Sequence, residues 1–440
     1  MCGRRPWMLK SIDLLSAAIE AGWDRQIAWL QRLVRFPSLR GNEQECQNWL
    51  AEEFAQRGWQ VDRYSLADVD LTRIGGAAPT IGIDPARSLQ VVATIPHGNA
   101  GARSNGRSLI LQGHVDVVPT GPESMWFDPP FSGVVRDGWL LGRGAQDMKA
   151  GISALVFALD AMKAAGLALS APIYLQAVTE EESTGNGALS TLARGYTADA
   201  CLIPEPSANT ITRAQTGAIW FRLKIRSKPI HVESMRSATN AVFSAIALVE
   251  GLQALTQEFN AAARTHPLFK DVANPVKFNP GMIRGGDWPS STPSWCDIDC
   301  RMGVLPGTEV EQVRRSIVET VATVARTDPL LAEHPPEIEW TGFLADAAVL
   351  EPGSQAEAML AEAHRAVFGT GMTARLSTAV NDTRYYARQG GMPALCYGPA
   401  GEGLHGVDER VNLANLKQTT LVIAAFIATW CGAAPRSPAR

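Results

Sequence analysis

Four short apolar runs constrain this chain most: Leu109-Ile110-Leu111, Ile173-Tyr174-Leu175, Cys201-Leu202-Ile203 and Ala394-Leu395-Cys396. A strand with no polar alternation has both faces buried, as happens when helices cover both sides of a sheet. Helix-like stretches such as Ala150–Ala165 separate the runs, and strands alternating with helices predict an α/β architecture. Helical spacing appears over 25–35 (Ile27, Leu30, Val34) and over 46–57 (Trp49, Leu50, Phe54). Residues 76–108, rich in Gly, Pro, Ala, Ser and Arg, read as an irregular surface excursion around one strand, Leu89–Ile95.

The pattern changes near Gly217. Ile219, Phe221, Leu223 and Ile225 alternate with Trp220, Arg222, Lys224 and Arg226, which is a strand with one buried face. A helix over Ala241–Leu255 and strands at Trp295–Met302 and Glu337–Trp340 follow. This segment predicts a smaller α+β insert over 215–345. Residues 1–214 and 346–440 would form the two parts of one split domain, and 440 residues suit two domains.

Apolar residues make up 46% and charged residues 19%, enough for a large core and too apolar for disorder. The formal charge is −4 and no Lys/Arg block occurs, so nucleic acid is not an expected partner. No apolar run is long enough for a membrane span, and Thr420–Trp430 reads as a buried terminal helix. Lys10, Asp13 and Glu20 interrupt the N-terminal region, so no secretory signal is expected. The seven cysteines are odd in number and dispersed, which fits reduced thiols in the cytoplasm. Cys296 and Cys300 have no second Cys/His pair nearby and read as small buried residues rather than a zinc knuckle.

The polar residues that follow the apolar strands carry the chemistry. His114 and Asp116 stand two apart after Leu109–Gln112, so in extended backbone they share a face. A metal-bound imidazole usually gives its other N–H to a neighbouring acceptor, a part Asp116 could play; an isolated His-x-Asp is otherwise a turn with a satisfied histidine. Asp147 follows the tight Gly142–Gln146 loop at the start of a helix expected over Met148–Met162. It could be a helix cap, or its two oxygens could bridge two cations. Glu180-Glu181-Glu182 follows the strand Ile173–Val178, where adjacent carboxylates repel one another unless a positive charge is near. Glu205 in Ile203-Pro204-Glu205-Pro206 and His405 in Leu404-His405-Gly406 complete a set of metal-ligand residue types. In open α/β sheets, sites lie beyond the carboxyl ends of the strands.

With these motifs in view, the chain resembles the zinc amidohydrolase/peptidase family of aminoacylase, acetylornithine deacetylase, succinyl-diaminopimelate desuccinylase and carboxypeptidase G. The matching elements run from about residue 25 to about residue 425: Gly-His-Val-Asp-Val-Val-Pro at 113–119, Gly-Arg-Gly-Ala-Gln-Asp-Met-Lys at 142–149, the Glu triplet, Glu-Pro at 205–206 and His405. The resemblance implies a split two-zinc aminopeptidase-like catalytic domain, a mixed sheet with helices on both faces, plus an inserted lid/dimerisation domain. It implies two Zn²⁺ per subunit, with Co²⁺ or Mn²⁺ also compatible with the donor set. His114, Asp147 and Glu205 would hold one ion, and Asp147, Glu182 and His405 the other. Glu181 would be the general base for a metal-activated water, and Asp116 would orient His114. An alternative register makes Glu180 the base and Glu181 the ligand.

The resemblance also covers the insert, through Lys228-Pro229-Ile230-His231 and Thr239-Asn240-Ala241. It implies a homodimer in which His231 steadies the oxyanion in the partner subunit's site. It places Arg301 on a substrate carboxylate, with Asn240 and Ser290 also at the substrate. Asn381-Asp382-Thr383-Arg384 and Glu409 match further positions near the site. One departure matters: Asp287-Trp288-Pro289-Ser290-Ser291-Thr292-Pro293 puts Ser290 where the family often has Asn. The implied activity is hydrolysis of an N-acyl amino acid or related small N-acylated amine. The alternatives are a dipeptidase or carboxypeptidase, or a deformylase of a non-amino-acid amine such as a formylaminopyrimidine.

Overall fold

A computed structural model describes residues 4–98, 106–235 and 240–435. Cys2, Thr239 and part of the 76–108 excursion lie outside the described residues. The central sheet has six strands in the spatial order Gln60–Ser65, Leu89–Ile95, Ile173–Val178, Leu109–His114, Cys201–Ile203 and Ala394–Cys396. The four strands from Ile173–Val178 to Ala394–Cys396 are mutually parallel; the first two run antiparallel to their neighbours. The sheet is therefore mixed, with the four apolar runs as its parallel part.

Alternate residues of those runs serve two cores, which is why they lack polar alternation. Leu109, Leu111, Ile173, Leu175, Leu202 and Leu395 join the larger core with helices Arg4–Val34, Ala150–Ala164 and Leu413–Trp430. Ile110, Cys201, Ile203 and Ala394 face the other way, against Leu189 and Leu192 of helix Asn186–Ala193 and against Tyr385 and Tyr386. Fully burying one such side chain stabilises by about 1.5–3 kcal/mol, so each strand is fixed from both faces.

Two local expectations need correction. The strand does not stop before Gly113 but runs on through His114. Glycine stands at 113 because a Cβ there would lie 2.7 Å from Ile152 Cγ1 and 3.0 Å from Met148 Cε. Asp147 is not a helix cap: the helix begins at Ala150, and Asp147 (φ −114°, ψ 97°) and Met148 (φ −125°, ψ 33°) lie in a kinked turn before it. The carboxylate is thus free to face the imidazoles of the site.

Between Gly217 and Ala345 the chain forms a separate four-stranded antiparallel sheet in the order Phe278–Gly285, Trp295–Val304, Gly217–Arg226, Glu337–Ala345. Helices Ala241–Ala263 and Val310–Thr327 cover one face around Phe221, Leu223, Ile298 and Ile317. The first is longer than its sequence pattern suggests. Cys296 and Cys300 are buried in this core. The other face carries Arg222, Lys224 and Arg226 paired with Asp299, Glu337, Glu339 and Asp297. The chain enters and leaves this sheet side by side, with Gln215 opposite Ala348 and Ala218 opposite Ala345. Among the described residues, no helix is long and apolar enough to cross a membrane.

Candidate metal centre

Strand ends and the loops after them bring five ligand-type side chains together. Asp147 lies between two imidazoles: Oδ1 is 3.2 Å from His114 Nε2, and Oδ2 is 3.1 Å from His405 Nε2. Glu182 Oε1 lies 3.2 Å from His405 Nε2, and Glu205 Oε1 lies 3.7 Å from His114 Nε2. Two three-residue groups suited to a metal ion result, His114/Asp147/Glu205 and Asp147/Glu182/His405, each with its ligand atoms within 4.8 Å of one another. They share Asp147. A third group, His114/Glu181/Glu182, meets the same criterion and would make Glu181 a ligand.

A polar frame surrounds these groups. The carbonyl of Asp116 lies 2.9 Å from His114 Nδ1. A carbonyl can only accept, so Nδ1 carries a proton, which leaves Nε2 as the ring nitrogen available to a metal ion. The Asp116 carboxylate is 3.5 Å from the same Nδ1, and its Oδ2 accepts the Glu182 N–H at 3.0 Å. The residue expected to orient His114 therefore does so mainly through its backbone, while its side chain pins the Glu182 turn. Glu409 shapes the Asp147 turn by accepting from the backbone N–H groups of Gly144 (2.9 Å), Gln146 (2.9 Å) and Asp147 (3.0 Å). Arg143 Nη1 donates to the same carboxylate at 2.6 Å, and both side chains are buried.

The electrostatics ask for cations. Burial pushes the carboxyls of Glu181 and Glu182 above their usual range and that of Glu205 up to about 8. The Glu182 carboxylate, with help from Asp147, pushes His405 up to about 11. Burial alone would lower His114, but Glu205, Asp116 and Asp147 hold it above its ordinary value. Burial would raise Asp147, but the two imidazoles hold it below the carboxylate range. Among the described residues, no lysine or arginine forms an ion pair with Asp147, Glu181, Glu182 or Glu205. Glu181 Oε1 and Asp116 Oδ1 are buried without a hydrogen-bond partner. Buried carboxylates without compensation cost several kcal/mol each. Divalent ions held by two imidazoles and shared carboxylates remove that cost, and the donor set fits zinc.

The remaining predicted residues, His231, Asn240, Ser290 and Arg301, belong to the smaller sheet and its flanking segments. His231 is exposed, and its Nδ1 accepts the Glu233 N–H at 3.2 Å. Ser290 is exposed, and its carbonyl accepts the Val232 N–H at 3.2 Å. Asn240 caps helix Ala241–Ala263, its Oδ1 accepting the Val242 N–H at 3.0 Å. Arg301 reaches across to the Thr378 carbonyl (3.4 Å); burial lowers its pKa, and it has no ion-pair partner among the described residues. Two charged residues at the site went unread in the sequence. Arg143 anchors Glu409, and Arg40 pairs with Glu180, 140 residues away. The acidic triplet was the available signal for Arg40: the positive charge it calls for is met at Glu180 by a side chain.

Residues 110–429 match the model of peptidase family M20/M25/M40. An N-formyl-4-amino-5-aminomethyl-2-methylpyrimidine deformylase of Halalkalibacterium halodurans is 29% identical over 96% of this chain and 98% of its own length. A succinyl-diaminopimelate desuccinylase of Paracidovorax citrulli is 28% identical over 89% of this chain and 94% of its own length. The structure of human carnosine dipeptidase 1 superposes with a TM-score of 0.77 at 16% identity, covering 96% of this chain and all of that one (100%), which establishes the shared fold.

Proposed function

Because the chain belongs to peptidase family M20/M25/M40, whose members are metal-dependent hydrolases of amide bonds, we propose that it deacylates a small N-acylated amine with two zinc ions bound around Asp147. The observation that carries this reading is the position of Asp147, one oxygen toward each histidine of two ligand groups that share it. When bound, such a metal pair lowers the pKa of a water toward neutrality and polarises the amide carbonyl. Glu181 then serves as base: its Oε1 is buried and unpartnered, while its Oε2 stands 3.9 Å from His114 Nε2, at the edge of both ligand groups. It takes a proton from the attacking water as the C–O bond forms, and returns it to the amine nitrogen as the C–N bond breaks. The acyl group leaves as a carboxylate.

Two features bear on the substrate. The deformylase match spans nearly both whole chains and supports a formylated aminopyrimidine as the first compound to test. Arg301, a half-buried guanidinium with no ion-pair partner among the described residues, supports a carboxylate on the substrate and so an N-acyl amino acid. A panel of N-formyl aminopyrimidine, N-acetyl and N-succinyl amino acids and dipeptides, assayed with zinc-loaded protein, is expected to show one N-acylated class ahead by at least about tenfold in kcat/KM, since a single matched polar group discriminates that strongly. Hydrolysis of dipeptides alone would replace this reading by the peptidase one.

We take residues 215–345 as the lid and dimerisation unit. Strand Phe278–Gly285 forms one edge of that sheet with nearly all its residues exposed, among them Met282 and Ile283, and Phe243 and Ile246 are exposed on the neighbouring helix. An open edge beside exposed apolar side chains suits pairing with a second copy. The exposed His231, which forms no hydrogen bond with its own chain's ligand residues among the described contacts, suits service to that copy's site. Mixing a His231→Ala variant with an Asp147→Ala variant is expected to regenerate activity in mixed dimers; mixtures no more active than either variant would remove His231 from that role. The six described cysteines are free, which supports the cytoplasmic placement.

A further inference from the structure

We propose that Arg40 and Glu180 form a positioning pair that sets the Glu181–Glu182 turn against the His114 strand; the inference rests on Glu181 being the base. Glu180 is fully buried and stands in the left-handed region at φ +69°, a conformation that costs a side-chain-bearing residue energy. Its backbone is held there by its own carbonyl, which accepts from the N–H groups of Thr184 (2.9 Å) and Gly185 (2.6 Å). Its carboxylate is fully engaged. Oε1 accepts from Arg40 Nε (3.1 Å); Oε2 accepts from Arg40 Nη2 (3.1 Å), Ser183 Oγ (3.2 Å) and Thr184 Oγ1 (3.1 Å). A carboxylate that already accepts from four donors, with both oxygens on Arg40, is poorly placed to take a substrate water or an ion. Glu180 is thereby assigned neither the base nor a ligand.

Arg40 comes from a loop that is itself fastened to the first ligand segment. Ser38 Oγ donates to the Val115 carbonyl at 2.6 Å, and Val117 N–H donates to the Ser38 carbonyl at 3.0 Å. The two-pronged guanidinium contact therefore links the segment carrying His114 and Asp116 to the turn carrying Glu181 and Glu182. Besides the strand pairing and the Val115 N–H to Val178 carbonyl bond (2.9 Å) at its end, the other described hydrogen bond between those two segments is Glu182 N–H to Asp116 Oδ2 at 3.0 Å. Taking away Arg40 leaves the buried Glu180 with only the Ser183 and Thr184 hydroxyls, and frees the turn to shift away from the His114 strand. That moves the base and a ligand together while leaving the substrate pocket in place, so turnover suffers rather than substrate binding.

The test uses the full chain as Arg40→Met, Arg40→Lys, Glu180→Gln, Arg40→Met/Glu180→Gln and Glu181→Gln. For each we would measure Tm, resistance of bound zinc to a chelator, kcat and KM. Arg40→Met and Glu180→Gln are expected to lower kcat by about 10- to 100-fold, with KM changed by less than about twofold and zinc lost at lower chelator concentration. Arg40→Lys should recover part of the loss, because an ammonium restores the charge without the fork. The double variant should be no worse than either single one, since the two side chains act as a unit. A merely structural pair would lower Tm and leave kcat of the folded enzyme unchanged, and Arg40→Met with kcat within about twofold of the parent overturns the proposal. So does a Glu180→Gln variant that loses zinc outright while Arg40→Met keeps it, for Glu180 would then be a ligand. Should Arg40→Met fail to fold, Arg40→Lys and Glu180→Gln carry the comparison. Full activity in Glu181→Gln would refute the base assignment separately, leaving the chelator series to judge the pair.

Discussion

Asp147→Ala is expected to lower hydrolysis by at least about a thousandfold and to cost the protein both metal ions. Asp147 is the one residue common to the two ligand groups, and each of its oxygens faces a different histidine. Truncating it strips a donor from both groups at once and leaves Glu182 and Glu205 facing each other across an emptied centre. Glu182→Ala removes a donor from the His405 group while leaving His114, Asp147 and Glu205 together, so this variant should retain about one ion. Metal analysis by atomic absorption beside steady-state rates separates the cases. If Asp147→Ala keeps two ions, the carboxylate is not shared.

Glu181→Gln is expected to fall by about a hundredfold to ten-thousandfold in kcat while holding both ions. The glutamine preserves shape and one hydrogen-bonding oxygen but cannot take a proton. The expectation follows from where the side chain sits: next to the ligands, buried, with a free oxygen, and farther from His114 Nε2 (3.9 Å) than Asp147 is (3.2 Å). The competing arrangement, in which Glu181 joins His114 and Glu182 around an ion, predicts zinc loss from the same variant. Zinc content and kcat together therefore decide between base and ligand.

The parts of this fold that were legible in the sequence are those with a local cause. The parallel strands showed because burial on two faces forbids polar alternation, and His114, Asp147, Glu205 and His405 stood out as ligand-type residues at strand ends and tight turns, whereas Glu182 was singled out from the triplet only through resemblance. Helix Val310–Thr327 carried a readable stripe, Val313, Ile317 and Val321, that went unassigned. Other features were not legible because their cause is distant. Nothing within the acidic triplet says that Arg40 lies beside Glu180, or that Glu409 gathers the N–H groups of the Asp147 turn from 262 residues away. Asp116 is instructive in a different way. Its spacing from His114 suggested a side-chain contact, yet the imidazole's hydrogen bond is accepted by its carbonyl, and the carboxylate accepts the Glu182 N–H instead. Side-chain identity could not distinguish those two uses. His231, Asn240 and Ser290 were legible only through resemblance, and their hydrogen bonds within the smaller sheet's loops follow from capping and turn geometry.

The most direct measurement is anomalous X-ray diffraction at the zinc edge from crystals of the zinc-loaded protein. Two peaks are expected, each about 2.0–2.2 Å from a different Asp147 oxygen, one beside His114 and Glu205 and the other beside Glu182 and His405. A single peak, or two peaks that do not share Asp147, would contradict the two-metal account.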